Sequence, residues 1–282
     1  MQKGRSDVQR QFRELQELYL RRNYKTRRGR EYAHQGFCRR LDELARAVDF
    51  VFDLLPPGLD EIRDKDNVVA ATMLIQSFVL NASGCLDNLA WIWVYETDLK
   101  SPQGAEIDPK WVGLGESYTH LRKSFSRPFR KHLRSRRKWF HHLAEFRDSA
   151  AHRIPLYIPP YIISETHAPR YNELGNECIE AMRQGDYEKY DKLRAEQKKL
   201  GRFLPWMSHS LIEKSPTAVF HFQLLQDYAT IDEFGRKILE ELARFEEMTR
   251  RRKAPSTFGL RNVRDCLRMM AQIFQRFFWR SK

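Results

Sequence analysis

The sequence predicts a mainly α-helical protein, an all-α bundle with at most a small β-hairpin. Apolar residues recur at helical spacing through most of its 282 residues. One region, 66–97, is apolar on nearly all sides and long enough to be a central core helix. Two short segments, 154–163 and 217–225, are predicted to be extended, because they contain β-branched and aromatic residues that favour strands.

Two amphipathic helices are predicted before the central one, over 6–24 and 31–55. The apolar face of the first is formed by Val8, Phe12, Leu15, Leu18 and Tyr19, and that of the second by Leu41, Leu44, Val48, Val51 and Leu55. The second helix is expected to stop at the two prolines that follow Leu55. Residues 1–60 are therefore predicted to form N-terminal helices that pack on a helical domain formed by residues 61–282.

The central segment is predicted to be a buried core helix rather than a membrane span. Its apolar run is interrupted by polar residues that a bilayer tolerates poorly, namely Gln76, Asn81, Asp87 and Asn88. The first residues of the chain contain no apolar stretch of the kind a secretory signal requires. Cysteines occur singly at positions 38, 85, 178 and 266, which predicts buried thiols in a reducing compartment. A soluble, cytoplasmic protein is expected.

A fourth helix is predicted over 128–152. Pro128 suits the first turn of a helix, and Pro155 disfavours helix at the residue before it, so the helix should end near Arg153. The next segment, 154–163, is expected to be extended because it is rich in prolines and β-branched residues.

The rest of the chain is predicted to contain an inserted segment and two more helices. The insertion covers about 164–215 and includes a charged, solvent-exposed helix at about 172–200. The segment 217–225 is predicted to be a short strand, with 154–163 as its candidate partner. Helices near 227–252 and 260–280 complete the chain.

Positive charge is concentrated in three parts of the chain, which has a net charge of +13. Residues 1–30 contain ten Lys and Arg against three acids, 250–282 contain ten against one, and 122–138 contain nine with no acid. Clustered cations neutralise phosphates and release counterions, so a polyanion, above all RNA, is the expected partner. The candidate contact residues of the middle cluster are Arg130, Lys131, Arg134, Arg136, Arg137 and Lys138. Solvated helix faces are the alternative interpretation.

Several enzyme classes are excluded because their motifs are missing. The sequence has no P-loop, no glycine-rich dinucleotide motif, no H-E-x-x-H zinc motif and no G-x-S-x-G nucleophile elbow. His141 and His142 are adjacent and project in different directions from a helix, which makes them a poor metal-binding pair. No metal and no cofactor are expected.

Candidate chemistry lies at the end of the fourth predicted helix. On an ideal helix its apolar face is formed by Phe140, Leu143, Ala144, Ala150 and Ala151. Arg147 is predicted to lie in the middle of this face, where an arginine is costly to bury unless it is paired or used. His152 follows at the end of the helix, one turn after Asp148. Among the arginines that precede a histidine by five residues, only Arg147 has an acidic neighbour.

The segment FRDSAAH resembles the signature of the HEPN family, in which an arginine, a polar residue and a few variable residues precede a histidine. The matching residues are Arg147, Asp148 and His152. The resemblance implies a HEPN-like helical bundle, a homodimer that brings two motifs together, and cleavage of RNA without a metal. It also implies a role as a toxin or antiviral defence effector, with an antitoxin or a defence-system protein as a partner.

A polar stripe on the central helix is expected to support Arg147. The stripe is formed by Ser77, Asn81, Gly84 and Asn88. Buried amides need hydrogen-bond partners, and Arg147 is the expected partner of the two asparagines. Asp87, beside the stripe, is expected to hold the guanidinium as a carboxylate clamp. Alternatively, the two amides satisfy backbone groups or bound water.

These residue types suit metal-independent cleavage of RNA. A histidine titrates near neutral pH and so can remove the proton of the RNA 2′-OH, while a guanidinium stabilises the charge gathered by the phosphate. The predicted catalytic residues are His152 as the base and Arg147 as the phosphate stabiliser, with Asp148 beside them. Arg147 and His152 lie about 140° apart on one ideal helix, so a composite site between two copies is expected.

Two alternatives remain open at the level of the sequence. The first is a non-catalytic HEPN-like module that binds RNA or a protein and in which Arg147 is structural. The second is membrane-surface association through the last predicted helix. Its apolar residues are Val263, Leu267, Met270, Phe274 and Phe277, and its cations are Arg261, Arg264 and Arg268. No membrane partner is expected, because such apolar positions more often pack into a core.

Overall fold

The fold is mainly α-helical, as the sequence predicts. The computed structural model describes residues 1–62, 64–210, 212–213 and 215–253. Of the described residues, 71% are helical and 4% are in strands. These proportions confirm the predicted all-α fold class with a small β element. The chain divides into two units, Met1–Leu239 and Glu240–Lys282. The described part of the second unit, 240–253, is helical, and the predicted helix over 260–280 lies outside the described residues.

The helices are α1 (Gln2–Arg21), α2 (Arg27–Glu31), α3 (Arg39–Leu54), α4 (Lys65–Thr97), α5 (Thr119–Ser124), α6 (Arg127–Ser135), α7 (Arg137–His152), α8 (Ala168–Arg183), α9 (Tyr187–Lys198) and α10 (Phe220–Lys253). A π-helical segment, Tyr32–Cys38, joins α2 to α3, and a 3-10 turn covers Pro109–Trp111. The strands are β1 (Ile162–Ile163), β2 (Gly201–Arg202), β3 (Trp206–Met207) and β4 (Ala218–Val219).

Helix α4 is the centre of the first unit, because α2, the π-helical segment, α3 and α7 all pack against it. Its fully buried residues include Ala71, Ile75, Phe78, Cys85 and Trp93. Within the described residues it is the one helix that is long and apolar enough to cross a membrane, a test that the core helix of a soluble protein also passes. The helices packed around α4 are compatible with a soluble protein.

The predicted N-terminal helices are present, with small differences in their packing. In α1, Val8, Leu15 and Tyr19 are buried as predicted. Leu18 is 48% exposed, because it lies about 80° around the helix axis from the three buried residues. The prediction that Leu18 belongs to the buried face is therefore wrong.

The predicted helix over 31–55 is part of a longer helical stretch with an irregular middle. It consists of the end of α2, the π-helical segment and α3. The predicted core residues of α3 are all buried, as is Leu55 just after it. A π-helical turn is rare and often marks a functional site. Here it carries Tyr32, Gln35 and Gly36 along one side of a groove.

The predicted single helix over 128–152 is wrong, because α6 and α7 are separate helices. Ser126 caps α6 by accepting a hydrogen bond from the Phe129 N–H, and α7 ends at His152 as predicted. Between the two helices, Arg136 adopts a non-helical backbone with ψ of 10°. Its guanidinium forms a 2.6 Å ion pair with Glu233 of α10. The break between α6 and α7 thus lies where the chain contacts α10.

The β element also differs from the prediction. The extended segment after α7 pairs with residues that follow α9, since β1 is antiparallel to β2. The strand predicted over 217–225 is limited to β4, which pairs with β3. Helix α10 then begins at Phe220, because Phe220, Leu224 and Tyr228 form a buried face at helical spacing. The predicted pairing of 154–163 with 217–225 is therefore wrong.

The inserted segment is a helical hairpin. The single helix predicted at about 172–200 is two helices, α8 and α9, which pack on each other. Gly185 forms the turn between them with a positive φ of 74°, which a glycine adopts without strain. Most of the side chains of the hairpin are exposed, as predicted.

Three cysteines confirm the prediction of buried thiols. Cys38, Cys85 and Cys178 are free and buried. Burial raises the pKa of Cys38 to about 12, so its thiol is unreactive near neutral pH. Cys266 lies outside the described residues.

Candidate functional site

Helix α7, which carries the predicted catalytic motif, buries a different face from the predicted one. Its buried residues are Trp139, Leu143, Phe146 and Ser149. The face is centred about 100° from Phe140, because the rings of Trp139 and Phe146 both pack inward. Arg147 therefore lies at the edge of the buried face. Its side chain is 42% exposed, so the prediction of a mostly buried Arg147 is wrong.

The direct partner of Arg147 is the adjacent Asp148, whose Oδ1 lies 2.7 Å from Arg147 Nε. This ion pair is not aligned as a hydrogen bond, since the buried Nε has no hydrogen-bond partner among the described residues. Desolvation raises the pKa of Asp87 on α4, and the charges of Arg147 and Arg40 partly offset the rise. Asp87 therefore lies within reach of the field of Arg147 but forms no ion pair with it among the described residues. The predicted carboxylate clamp is wrong.

Two residues of the polar stripe of α4, Asn81 and Gly84, contact Arg40 of α3. Arg40 of α3 donates a 2.6 Å hydrogen bond to Oδ1 of Asn81, and Asn81 donates to Ser77 at 3.3 Å. Gly84 leaves room for this arginine, because a Cβ there would lie 2.6 Å from Arg40 Cζ. The predicted pairing of Arg147 with Asn81 is therefore wrong.

Asn88, the last residue of the stripe, forms no hydrogen bond with Arg147 among the described residues. It packs against Gly36 of the π-helical segment, where a Cβ would lie 2.9 Å from Asn88 Cγ. Its Oδ1 is buried and has no hydrogen-bond partner within the described chain. Asn88 lines the same groove as Tyr32, so it belongs to a different part of the surface.

His152 is exposed at the end of α7. His152 comes five positions after Arg147, which places the two residues about 7.5 Å apart along the helix axis and about 140° apart around it. A single chain therefore does not bring the predicted base and the predicted phosphate-binding group together.

A buried histidine that sequence reasoning missed lies against another face of α7. His209 is 2% exposed, and its Nε2 lies 3.5 Å from Oε1 of Glu145. Its Nδ1 lies 3.9 Å from Glu213, which is also 3.9 Å from Arg153. The four-residue spacing of Glu145, Ser149 and Arg153 is the only sequence signal for this polar face. Nowhere in the described ranges is a group of three or more His, Cys, Asp or Glu arranged to hold a metal ion.

The middle basic cluster forms a concave surface, here called the basic concavity, with a volume of about 490 Å³. Its cations are Arg122, Lys123, Arg127, Arg130 and Arg134, and its single acid is Glu116. Three of these arginines belong to α6, where their spacing places them on one side of the helix. The opposite side buries Phe129 and Leu133. A hydrogen bond of 2.8 Å from Trp93 to Ser124 ties α5 to α4.

The cations of the basic concavity have no acidic partner within ion-pair distance in the part of the chain that the structure describes. Burial lowers the pKa of Arg122, Glu116 partly opposes this effect, and the nearby Arg134 adds to it. Glu116 is itself engaged by Arg137 at 3.0 Å. The concavity thus has unbalanced positive charge, which an anion would stabilise.

The six cations predicted to contact nucleic acid occupy three kinds of position. Arg130 and Arg134 line the basic concavity. Lys131 and Lys138 are exposed outside it.

Arg136 and Arg137 are instead held by ion pairs with Glu233, at 2.6 Å, and with Glu116. These pairs leave less of their charge available to a ligand. The amino-acid sequence shows that these cations are clustered, but it does not show which of them form ion pairs.

Comparison with known proteins adds no information about this surface. The chain matches no protein-family model, no curated protein and no solved structure. The function is therefore argued from the residues described above.

Proposed function

We propose that this protein binds RNA through the basic concavity and cleaves it at the end of α7. The observation that carries the proposal is the set of five cations around one concave surface, opposed by a single acid that Arg137 already engages. Successive phosphates of a nucleic acid supply the negative charge that such a surface lacks. Measuring RNA affinity as a function of salt tests this binding step.

The proposed cleavage uses the 2′-OH of the RNA as the nucleophile. His152 removes the 2′-OH proton as the oxygen attacks the adjacent phosphorus, and the bond from phosphorus to the 5′-oxygen breaks. The departing 5′-oxygen takes up a proton, and the products are a 2′,3′-cyclic phosphate and a 5′-OH. Arg147 stabilises the charge that gathers on the phosphate. No step in this chemistry requires a metal or a cofactor.

The proposed site is composed of residues from two copies of the chain. His152 and Arg147 are both solvent-accessible but lie on different sides of α7. In a homodimer related by a two-fold axis, the His152 of one copy can face the Arg147 of the other. Asp148 would hold the free guanidinium in place until the phosphate arrives.

Incubating RNA with the protein in EDTA tests the cleavage step. The wild type should release fragments that carry a cyclic phosphate, and the His152→Ala variant should bind the same RNA without cutting it. If the wild type binds RNA but does not cleave it, the non-catalytic RNA-binding module is the better description. The proposal includes a role as a toxin or an antiviral defence effector. Either role requires that the protein cleaves cellular or viral RNA.

A further inference from the structure

A second concave surface, here called the aromatic groove, lies along the C-terminal half of α4. Its volume is about 900 Å³. The helix α2, the π-helical segment and residues 98–109 form its other walls. Trp93 of α4 donates a hydrogen bond to Ser124, next to the basic concavity. It lies about 160° around the axis of α4 from Trp91, which lines the aromatic groove. The two concave surfaces therefore flank α4 on different sides.

Three aromatic rings form the floor of the aromatic groove. Trp91 and Tyr95 are one turn apart on α4 and stack at 5.2 Å with an interplanar angle of 18°. Tyr32 of the π-helical segment contacts Trp91 at 5.6 Å and Tyr95 at 5.5 Å. All three side chains are half-buried, so part of the aromatic surface remains open to a ligand. Such a surface favours a flat π-system.

A polar group beside these rings is incompletely satisfied. Asn88 lies one turn before Trp91 and lines the groove. Its buried Oδ1 accepts no hydrogen bond from any described residue, and a buried acceptor without a donor costs free energy. Gly36 allows the π-helical segment to pack directly on this amide. A rotation of the Asn88 side chain would turn this oxygen towards an N–H donor in the groove and so satisfy it.

The rim of the aromatic groove offers one cation for an anionic group. Arg28 lies over the Tyr95 ring at 5.6 Å and 3.7 Å from Glu106, and Lys100 pairs with Asp98 at 2.8 Å. Arg27 is exposed and has no ion pair within the described residues. Because Arg28 already occupies the cation position at Tyr95, the groove suits a neutral aromatic ring better than an organic cation.

We propose that the aromatic groove binds one unpaired nucleobase of single-stranded RNA. The base stacks on Trp91 and Tyr95, a ring or exocyclic N–H of the base donates to Asn88 Oδ1, and the attached phosphate lies next to Arg27. This inference rests on the proposed RNA partner and specifies its form, because a base inside a duplex has no free face to stack.

The test compares a single-stranded RNA with a hairpin of the same length and charge. We expect the single strand to bind about tenfold more tightly than the hairpin. The preference should disappear in Trp91→Leu, which keeps an apolar side chain but loses the ring, and persist in Trp91→Phe, which keeps a ring. Asn88→Leu should also weaken single-strand binding. Circular dichroism confirms that each variant is folded.

The outcomes separate this inference from the proposed function. Equal binding of the single strand by the wild type and Trp91→Leu overturns the groove inference. RNA binding that still depends on the arginines of the basic concavity would then leave the proposed function intact. If the wild type binds no RNA even at low salt, the proposed function fails, and adenosine monophosphate becomes the probe. If adenosine monophosphate quenches the tryptophan fluorescence of the wild type but not that of Trp91→Phe, the result supports a nucleobase site in the groove. If it does not quench the fluorescence of the wild type, the groove inference is overturned.

Discussion

Trp139 of α7 donates a 2.7 Å hydrogen bond to Oδ1 of Asp227 of α10, a carboxylate that is 3% exposed. Gln223 donates to the same oxygen at 2.7 Å. Burial raises the pKa of Asp227 to about 7, although both hydrogen bonds oppose the shift. Below about pH 7 the folded protein therefore keeps this carboxyl protonated.

This pKa predicts that stability falls as pH rises. The folded pKa of Asp227 is about 7 and the ordinary value is 3.8, so between these values the unfolded chain releases a proton that the folded chain keeps. The free energy of unfolding then decreases by up to about 1.4 kcal/mol per pH unit. Above the folded pKa the loss is complete. Asp227→Asn mimics the protonated carboxyl and should remove this dependence.

Urea denaturation at pH 5, 6, 7 and 8 measures the effect. The matched control is Asp191→Asn, the same change at an exposed position on α9, which should keep the pH profile of the wild type. An Asp227→Asn profile parallel to that of the wild type would contradict a raised pKa at this carboxyl.

Glu96 is predicted to anchor α2 beside the aromatic groove. This buried carboxylate accepts hydrogen bonds from the backbone N–H groups of Lys25 and Thr26 and from the Thr26 hydroxyl. Thr26 in turn caps α2, which carries Arg27 and Arg28. Glu96→Ala should lower the free energy of unfolding by about 2–3 kcal/mol, because buried donors lose a charged acceptor.

The control for Glu96→Ala is Glu106→Ala on the rim of the same groove. Glu106 is 81% exposed and pairs with Arg28 at 3.7 Å, so its removal should cost less than about 1 kcal/mol. Thermal unfolding of both variants provides the comparison. Equal losses in the two variants would show that Glu96 is not a buried anchor of α2.

Arg147→Ala and His152→Ala are each predicted to abolish RNA cleavage while preserving the fold and RNA binding. Arg147 is 42% exposed and pairs with a side chain that is 47% exposed, so its loss should change the free energy of unfolding by only about 0–1 kcal/mol. His167→Ala is the control, since His167 is exposed at the start of α8 and does not line the basic concavity. It should retain full activity.

A mixture of the two inactive variants tests the composite site. If each site takes Arg147 from one copy and His152 from the other, a mixed dimer contains one intact site and should recover part of the wild-type cleavage rate. Size-exclusion chromatography with light scattering establishes whether the protein is a dimer. A monomer that cleaves RNA at the full rate would rule out a site composed of two copies.

The sequence predicts this fold well where the controlling interactions are local. The long apolar run of α4 and the prolines around α6 and α7 determine helix positions from neighbouring residues alone. At the break between α6 and α7, Arg136 contacts Glu233, which is 97 residues away in the chain. No periodicity within the segment 128–152 could reveal that contact.

The candidate site was only partly predictable for the same reason. The end of α7 at His152 follows from Pro155, but the buried face of α7 depends on which of its aromatic rings finds space against α4 and α10. The partner of Asn81 is Arg40, 41 residues earlier in the chain. Charge counting identifies the basic cluster, whereas ion pairs with Glu116 and Glu233 decide which cations remain free.

The salt dependence of RNA affinity is the most direct test of the account. The comparison is between the wild type, the triple variant Arg127→Gln, Arg130→Gln, Arg134→Gln in the basic concavity, and a control triple variant Arg183→Gln, Lys189→Gln, Lys192→Gln. The control removes the same charge from exposed positions of α8 and α9. The concavity variant should bind RNA more weakly, and its slope of log affinity against log salt should fall by roughly 2, while the control keeps the wild-type slope. Equal slopes for all three proteins would contradict RNA binding at the basic concavity.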